Sequence, residues 1–131
     1  NEHEATTLAT GFGMSPEPEA FATAMHRRHG CAVIVTLGAR GALAAAEANV
    51  LFAAAPAVEV VDTTGAGDAF TGALAAALDR HAAWPRALAE GVAAGSLACR
   101  SAGAQAALPA AAEIDPLAAT VLSSLVSHPI E

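Results

Sequence analysis

The residues of this 131-residue chain that could do chemistry are concentrated in Val60-Val61-Asp62-Thr63-Thr64-Gly65-Ala66-Gly67-Asp68-Ala69-Phe70. β-Branched positions run up to Val61, a glycine-containing turn follows, and an apolar stripe at Phe70, Leu74 and Leu78 begins beyond it. That order predicts a strand, a turn and a helix that starts near Gly67 or Asp68. The main-chain N–H groups of Gly65, Ala66 and Gly67 would converge at the helix N-terminus, where partial positive charge favours an anion such as phosphate. Asp68 stands in the first turn, at the rim of that hole. Like charges keep its carboxylate from being a phosphate ligand, so the chemistry open to it is to accept the proton of an attacking hydroxyl. The same position also suits an ordinary first-turn acid, which the helix dipole favours. Glycines at 65, 67 and 72 do not have the GxGxxG spacing of a dinucleotide loop.

All six basic residues are arginine, at 27, 28, 40, 80, 86 and 100, and there is no lysine. A Walker-type phosphate loop, a protein-kinase site and Schiff-base chemistry each need one, so all three are excluded. Phosphate transfer without lysine has to rely on backbone donors, a divalent metal and arginine. The formal charge of −7 argues against a nucleic-acid surface. The one basic run, Arg27-Arg28, fits the end of a helix. No apolar stretch reaches the roughly 18 to 20 residues of a membrane span, and Asn1-Glu2-His3-Glu4 is unlike a secretory leader, so a soluble, cytoplasmic protein is expected. Cys31 and Cys99 lack metal-binding partners and read as buried free thiols. His26 and His29 read as a solvated helix end.

Hydrophobic residues make up 54% of the chain, and alanine dominates them. Few large apolar side chains are left for a core of one domain. The elements expected are a helix over 1–9 closed by Thr10-Gly11, and a helix capped by Ser15 with Pro16 in its first position, ending at Gly30. A buried strand over Cys31–Leu37 follows, then a tight turn at Gly38-Ala39-Arg40-Gly41 and two short strands at 42–46 and 50–54. A strand at 58–61 leads into the 62–68 segment. Helices over 69–80, 84–99 and 116–127 complete the chain, with a loop at Gly103-Ala104-Gln105. This order is that of an α/β layered domain, a central sheet flanked by helices. The alanines, with glycine at 72, 91 and 95, would let the elements approach closely.

The segment Asp62-Thr-Thr-Gly-Ala-Gly-Asp-Ala-Phe-Thr-Gly-Ala-Leu-Ala75 resembles the C-terminal signature of the ribokinase-like (PfkB) carbohydrate kinases. Three other segments agree in order and spacing. Asn1-Glu2-His3-Glu4-Ala5 resembles the family's N-x-x-E motif, Val35-Thr36-Leu37-Gly38-Ala39-Arg40-Gly41 its nucleotide-side strand and turn, and Gly103-Ala104-Gln105 with Leu108-Pro109 the ribokinase cation loop. The resemblance implies a layered α/β/α ribokinase-like fold, of which residues 1–131 are the C-terminal, ATP-binding and catalytic-base part. The family's N-terminal half, with its glycine pair, sugar-binding residues and dimerising β-sheet lid, has no counterpart in these residues. A homodimer is expected only of the full-length protein.

The resemblance also implies roles. Asp68 would be the catalytic base and Gly65, Ala66 and Gly67 the anion hole for the γ-phosphate. Glu4, with Asn1, would position Mg²⁺ through water, since octahedral Mg²⁺ keeps most of its waters. Thr36, Gly38 and Gly41 would lie along the nucleotide. Asp62 and Thr64, with main-chain oxygens near Ala98 and Gly103, would hold a monovalent cation such as K⁺. Family members often carry Asn or His where Val92 falls, a departure on the adenine side. The expected activity is ATP-dependent phosphorylation of a sugar hydroxyl, with D-ribose the leading acceptor. Fructose, ketodeoxygluconate and nucleosides are the other acceptors open to the family. A non-catalytic nucleotide-binding module stands as the alternative, and nucleic acid and membrane are not expected partners.

Overall fold

Asn1 starts the first helix, α1 (Glu2–Phe12), as its N-cap: Asn1 Oδ1 accepts from the N–H groups of His3 and Glu4 at 3.0 Å. The computed structural model describes residues 1–131, and α1 ends one turn later than the Thr10-Gly11 signal predicts. Gly13, at φ 65°, takes the left-handed position, and Met14 N–H reaches Ala9 O at 2.8 Å. Met14 packs on the core and gives the apolar contact just past the glycine that accompanies a Schellman closure, whereas Phe12, just past Gly11, stays exposed. The next helix, α2 (Pro18–His29), begins at the second proline of Ser15-Pro16-Glu17-Pro18 rather than the first. A residue before proline is barred from helical geometry, and Glu17 is extended at φ −60°, ψ 126°, so Pro16 cannot open the helix. The end at Gly30 is as expected, with Arg27 and Arg28 in the last turn.

The chain divides into two units, residues 1–52 with 126–131, and residues 53–125. The first unit is built on a four-stranded sheet in the order β1 (Val33–Thr36), β2 (Gly41–Ala46), β3 (Asn49–Ala54), β4 (Val126–Pro129). β1 pairs antiparallel with β2, Val35 opposite Leu43, and β3 antiparallel with β4, Leu51 opposite Ser127. α1 and α2 pack on this sheet through Ala5, Ala9, Phe21 and Ala22 against Val35, Leu37 and Leu43. The alanine-rich β2 is wholly buried, which is where tertiary contacts override alanine's preference for helix. The strand expected over 31–37 is shorter, and within β1 only Val35 is buried, because β1 lies at the sheet edge. Cys31 is exposed and Cys99 half-buried, both free, so the expectation of two buried thiols fails. His26 is not a solvated ring either. Its Nδ1 lies 2.7 Å from Cys31 O and its Nε2 2.8 Å from Glu47 O, so it ties the end of α2 to the β2–β3 turn.

The second unit packs α3 (Ala66–Asp79), α4 (Trp84–Ala98) and α5 (Ala111–Ser123). Small residues set the approach of α3 to α4. A Cβ at Gly91 would stand 3.0 Å from the Phe70 ring, and one at Gly95 would stand 3.2 Å from Ala66 O. The strand expected at 58–61 does not form. A strand needs a ladder, and the segment's main-chain bonds are limited to Val61 and Asp62 N–H on Cys99 O, so Val60 and Val61 stay exposed. The last helix starts at Ala111, not Pro116. Glu113 Oε2 accepts the Ala110 N–H at 2.8 Å and fixes the start, while Pro116 sits in the second turn facing solvent. The residues expected to finish this helix instead form β4, whose Val-Ser-His-Pro sequence carries no apolar alternation.

One buried charge locks the second unit. The Glu90 carboxylate, 8% exposed, accepts from Arg80 Nη2 at 2.8 Å and Arg86 Nε at 2.7 Å, and Arg86 Nη2 reaches Asp115 at 3.0 Å. Burial opposes the charge, but the two guanidiniums outweigh it and hold the carboxyl below its ordinary value. A depressed carboxyl pKa gives stability that is present above the unfolded value and lost as pH falls through the folded one. Glu90→Gln is therefore expected to cost about 1–3 kcal/mol near neutral pH, with the gap to wild type closing as pH drops below about 4. Thermal melts across that range check this, and a gap independent of pH would contradict it.

Candidate active site

The start of α3 is made by Gly65, which takes φ 80° as the N-cap residue and contributes no side-chain cap. Ala69 N–H bonds Gly65 O at 2.9 Å, so the helical ladder begins there. The Ala66 N–H is taken by Thr63 O at 3.2 Å, inside the turn. The N–H groups of Gly65, Gly67 and Asp68 donate to no protein acceptor. A helix N-terminus aims such donors outward along its axis, an arrangement that favours an anion. Of the three amides expected in the hole, Ala66 is thus engaged, and Asp68 brings a main-chain donor that its sequence position did not suggest. The Asp68 side chain is exposed and makes no hydrogen bond or ion pair, so a hydroxyl brought to it meets a carboxylate with all its acceptor capacity free.

Asp62 ties two loops together behind this turn. Its Oδ1 accepts the Thr64 N–H at 2.9 Å and its Oδ2 the Gly103 N–H at 3.2 Å. The main-chain donor of Thr64 first, then its hydroxyl, then Gly103 hold the Asp62 carboxyl below its ordinary value. The fold so brings together Asp62, Thr64 and Gly103. Ala98 is buried at the end of α4, and the carbonyl that meets this segment is that of Cys99, which accepts from Val61 at 2.8 Å and Asp62 at 3.2 Å. Burial, then the Asp62 charge, pushes the Cys99 thiol up. Val92 lies buried in α4.

The first unit places the remaining residues at the N-terminus of α1 and at the turn after β1. Glu4 is exposed, and its Oε2 accepts from the main-chain nitrogen of Asn1 at 2.6 Å. Asn1 Oδ1 is spent on the cap. The N-x-x-E spacing is therefore a capping box as well as a candidate metal pair. Thr36 ends β1, and Leu37 N–H to Gly41 O at 2.8 Å closes the turn over a single 3-10 turn, Gly38–Arg40. Gly38 at φ 58° and Gly41 at φ 110° take conformations that L side chains disfavour. A contact absent from the sequence reading crosses from this turn to α1: Arg40 Nη2 lies 2.6 Å from Glu2 Oε2.

Residues 1–111 match the pfkB family carbohydrate kinases. The chain is 46% identical over 86 residues to the aminoimidazole riboside kinase of Salmonella typhimurium, covering 61% of this chain and 27% of that protein. Its structure is similar to the crystal structure of Thermotoga maritima ribokinase, with a TM-score of 0.80 and 32% identity over 89% of this chain and 40% of that one. It is also similar to Arabidopsis thaliana ribokinase complexed with ribose and ATP, with a TM-score of 0.77 and 32% identity over 90% of this chain and 39% of that one. The chain spans between 24% and 36% of the length of the curated relatives it matches.

Proposed function

This chain belongs to the pfkB family of carbohydrate kinases, and we propose that it carries the nucleotide-binding and proton-accepting side of an ATP-dependent phosphoryl transfer to a sugar hydroxyl. The observation that carries this reading is the start of α3, where three unpaired N–H groups stand beside an unpartnered Asp68. In the proposed reaction the sugar oxygen forms a bond to the γ-phosphorus as the bond to the departing ADP oxygen breaks. The hydroxyl proton passes to an Asp68 carboxylate oxygen. The N–H groups of Gly65, Gly67 and Asp68 meet the charge on the phosphoryl oxygens and need no reorganisation at that moment. Thr36, Gly38 and Gly41 are assigned to the nucleotide.

Two cations belong to the proposal. No group of three His, Cys, Asp or Glu side chains is gathered in the chain. The single exposed carboxylate of Glu4, its Asn1 neighbour engaged in capping, therefore suits only a Mg²⁺ that keeps most of its waters and arrives with the nucleotide. Mg²⁺ would supply charge neutralisation on the phosphates. Asp62, held anionic by its N–H donors, suits a larger, weakly coordinated cation such as K⁺, with Thr64 and main-chain oxygens near Ala98 and Gly103 as its further ligands. For the acceptor, relatives named ribokinase and a neighbour solved with ribose support D-ribose, giving ribose 5-phosphate, ahead of fructose or ketodeoxygluconate, and the relative named for a riboside makes a nucleoside the next acceptor to test.

Calorimetric titration of the 131-residue chain with a non-hydrolysable ATP analogue tests the reading. Saturable one-site binding is expected with Mg²⁺ and K⁺ present, weakening when either is withdrawn. A folded chain that gives no binding would sink it. A nucleotide-binding module without transfer activity is the second reading. Binding by the complete polypeptide with no phosphorylation of any of these sugars would select that one.

A further inference from the structure

The turn assigned to the nucleotide is held internally by three main-chain bonds, Leu37 N–H to Gly41 O at 2.8 Å, Arg40 N–H to Leu37 O at 3.2 Å and Gly41 N–H to Gly38 O. Pairing of Thr36 with Ala42 fixes its two ends to the sheet. Gly38, Ala39 and Gly41 have no side chain long enough to reach α1, so Arg40 is the residue of the turn that ties it to that helix. Its guanidinium meets Glu2, in the first turn of α1, beside the Asn1–Glu4 capping box. Glu2 is half-buried, and it is the first-turn acid that Arg40 neutralises, while Glu4 bonds the Asn1 main-chain nitrogen. We propose that the Glu2–Arg40 ion pair is a positioning latch: it fixes the Gly38–Gly41 turn against the N-terminus of α1, so that the groups assigned to the nucleotide and to Mg²⁺ are presented as one preformed surface.

The latch rests on the nucleotide reading of that turn. It acts through position and touches no reacting atom. Its loss therefore raises the amount of nucleotide needed and leaves the chemical step alone. The two single variants also leave opposite residues behind. Glu2→Gln leaves a free cation at the first turn of α1, and Arg40→Met leaves a free carboxylate there. A purely structural bond would respond to both losses alike. An exposed ion pair bears about 0.2–1 kcal/mol, which converts to roughly a one-and-a-half- to fivefold change in an equilibrium.

The test uses the 131-residue chain and two readouts. Hydrogen exchange at the Leu37 amide is expected to quicken in both Glu2→Gln and Arg40→Met, without any nucleotide present. Affinity for the Mg²⁺ complex of the ATP analogue is expected to fall by about two- to fivefold in each, with the concentration of Mg²⁺ needed rising in Glu2→Gln and falling in Arg40→Met. The double exchange Glu2→Arg with Arg40→Glu is expected to restore slow exchange at Leu37. Unchanged exchange in both single variants overturns the latch while leaving nucleotide binding by the wild type intact. Quickened exchange with unchanged affinity overturns its role toward the nucleotide. A wild-type chain that binds no nucleotide overturns the functional reading, and the latch with it.

Discussion

Asp68→Asn in the complete polypeptide is expected to lower phosphoryl transfer by about 10²- to 10⁴-fold, the range a positioned general base supplies. The affinity for an ATP analogue should hold or rise slightly, because the change removes a negative charge beside an anion site. The fold gives this comparison its power. Asp68 is exposed and makes no ion pair or hydrogen bond, so the amide breaks no contact and forgoes only the acid's interaction with the helix dipole. Stability should stay within about 1 kcal/mol of wild type. A loss of transfer therefore cannot be charged to unfolding. An ordinary first-turn acid, the competing account of the residue, predicts transfer close to wild type. Single-turnover phosphorylation of ribose, read beside a nucleotide titration of the same variant, separates the two.

What the sequence makes legible follows from how local each signal is. The 62–68 segment is readable because strand-like residues, small residues and an apolar helical stripe follow one another without a gap, so the turn and α3 can be placed by spacing. The hairpin of β2 and β3 is readable for the same reason. Its alanines are not, because only burial between neighbours turns GALAAA into a strand. Residues 58–61 show the converse. Val58 to Val61 have the composition of a strand, but composition does not provide a partner, and no strand in the chain bonds them. Pro116 misleads because proline marks a first helical turn so often, whereas Glu113 capping Ala110 fixes the start from upstream. The site divides along the same line. Asp68 and the glycines are local and could be named. The Asp62–Gly103 tie and the Glu2–Arg40 pair join residues 41 and 38 positions apart, and no pattern within one segment carries them.

Gly65→Ala is expected to be the most damaging single methyl in the second unit. Gly65 sits at φ 80°, where an L residue costs about 1–2 kcal/mol. Its new Cβ would stand 3.0 Å from Ala104 Cα and 3.1 Å from Ala104 O. Both are main-chain atoms, so the strain is not relieved by swinging a side chain. The 103–104 loop must move, and Gly103 is the residue whose N–H holds Asp62. The variant thus displaces the hole and the Asp62 tie together. A total destabilisation of about 2–4 kcal/mol is expected, and a displacement near 1 Å at the phosphate donors should cost about a hundredfold in transfer. Gly67→Ala is the control. A Cβ there meets nothing within 4 Å, and helical geometry suits alanine better than glycine, so the fold should be as stable or slightly more so. If Gly67→Ala nevertheless binds the ATP analogue more weakly while melting no lower than wild type, the space above Gly67 is needed by the ligand and not by the protein. Wild-type affinity in Gly67→Ala would mean that phosphate does not approach this end of α3, and the anion hole would have to be sought elsewhere.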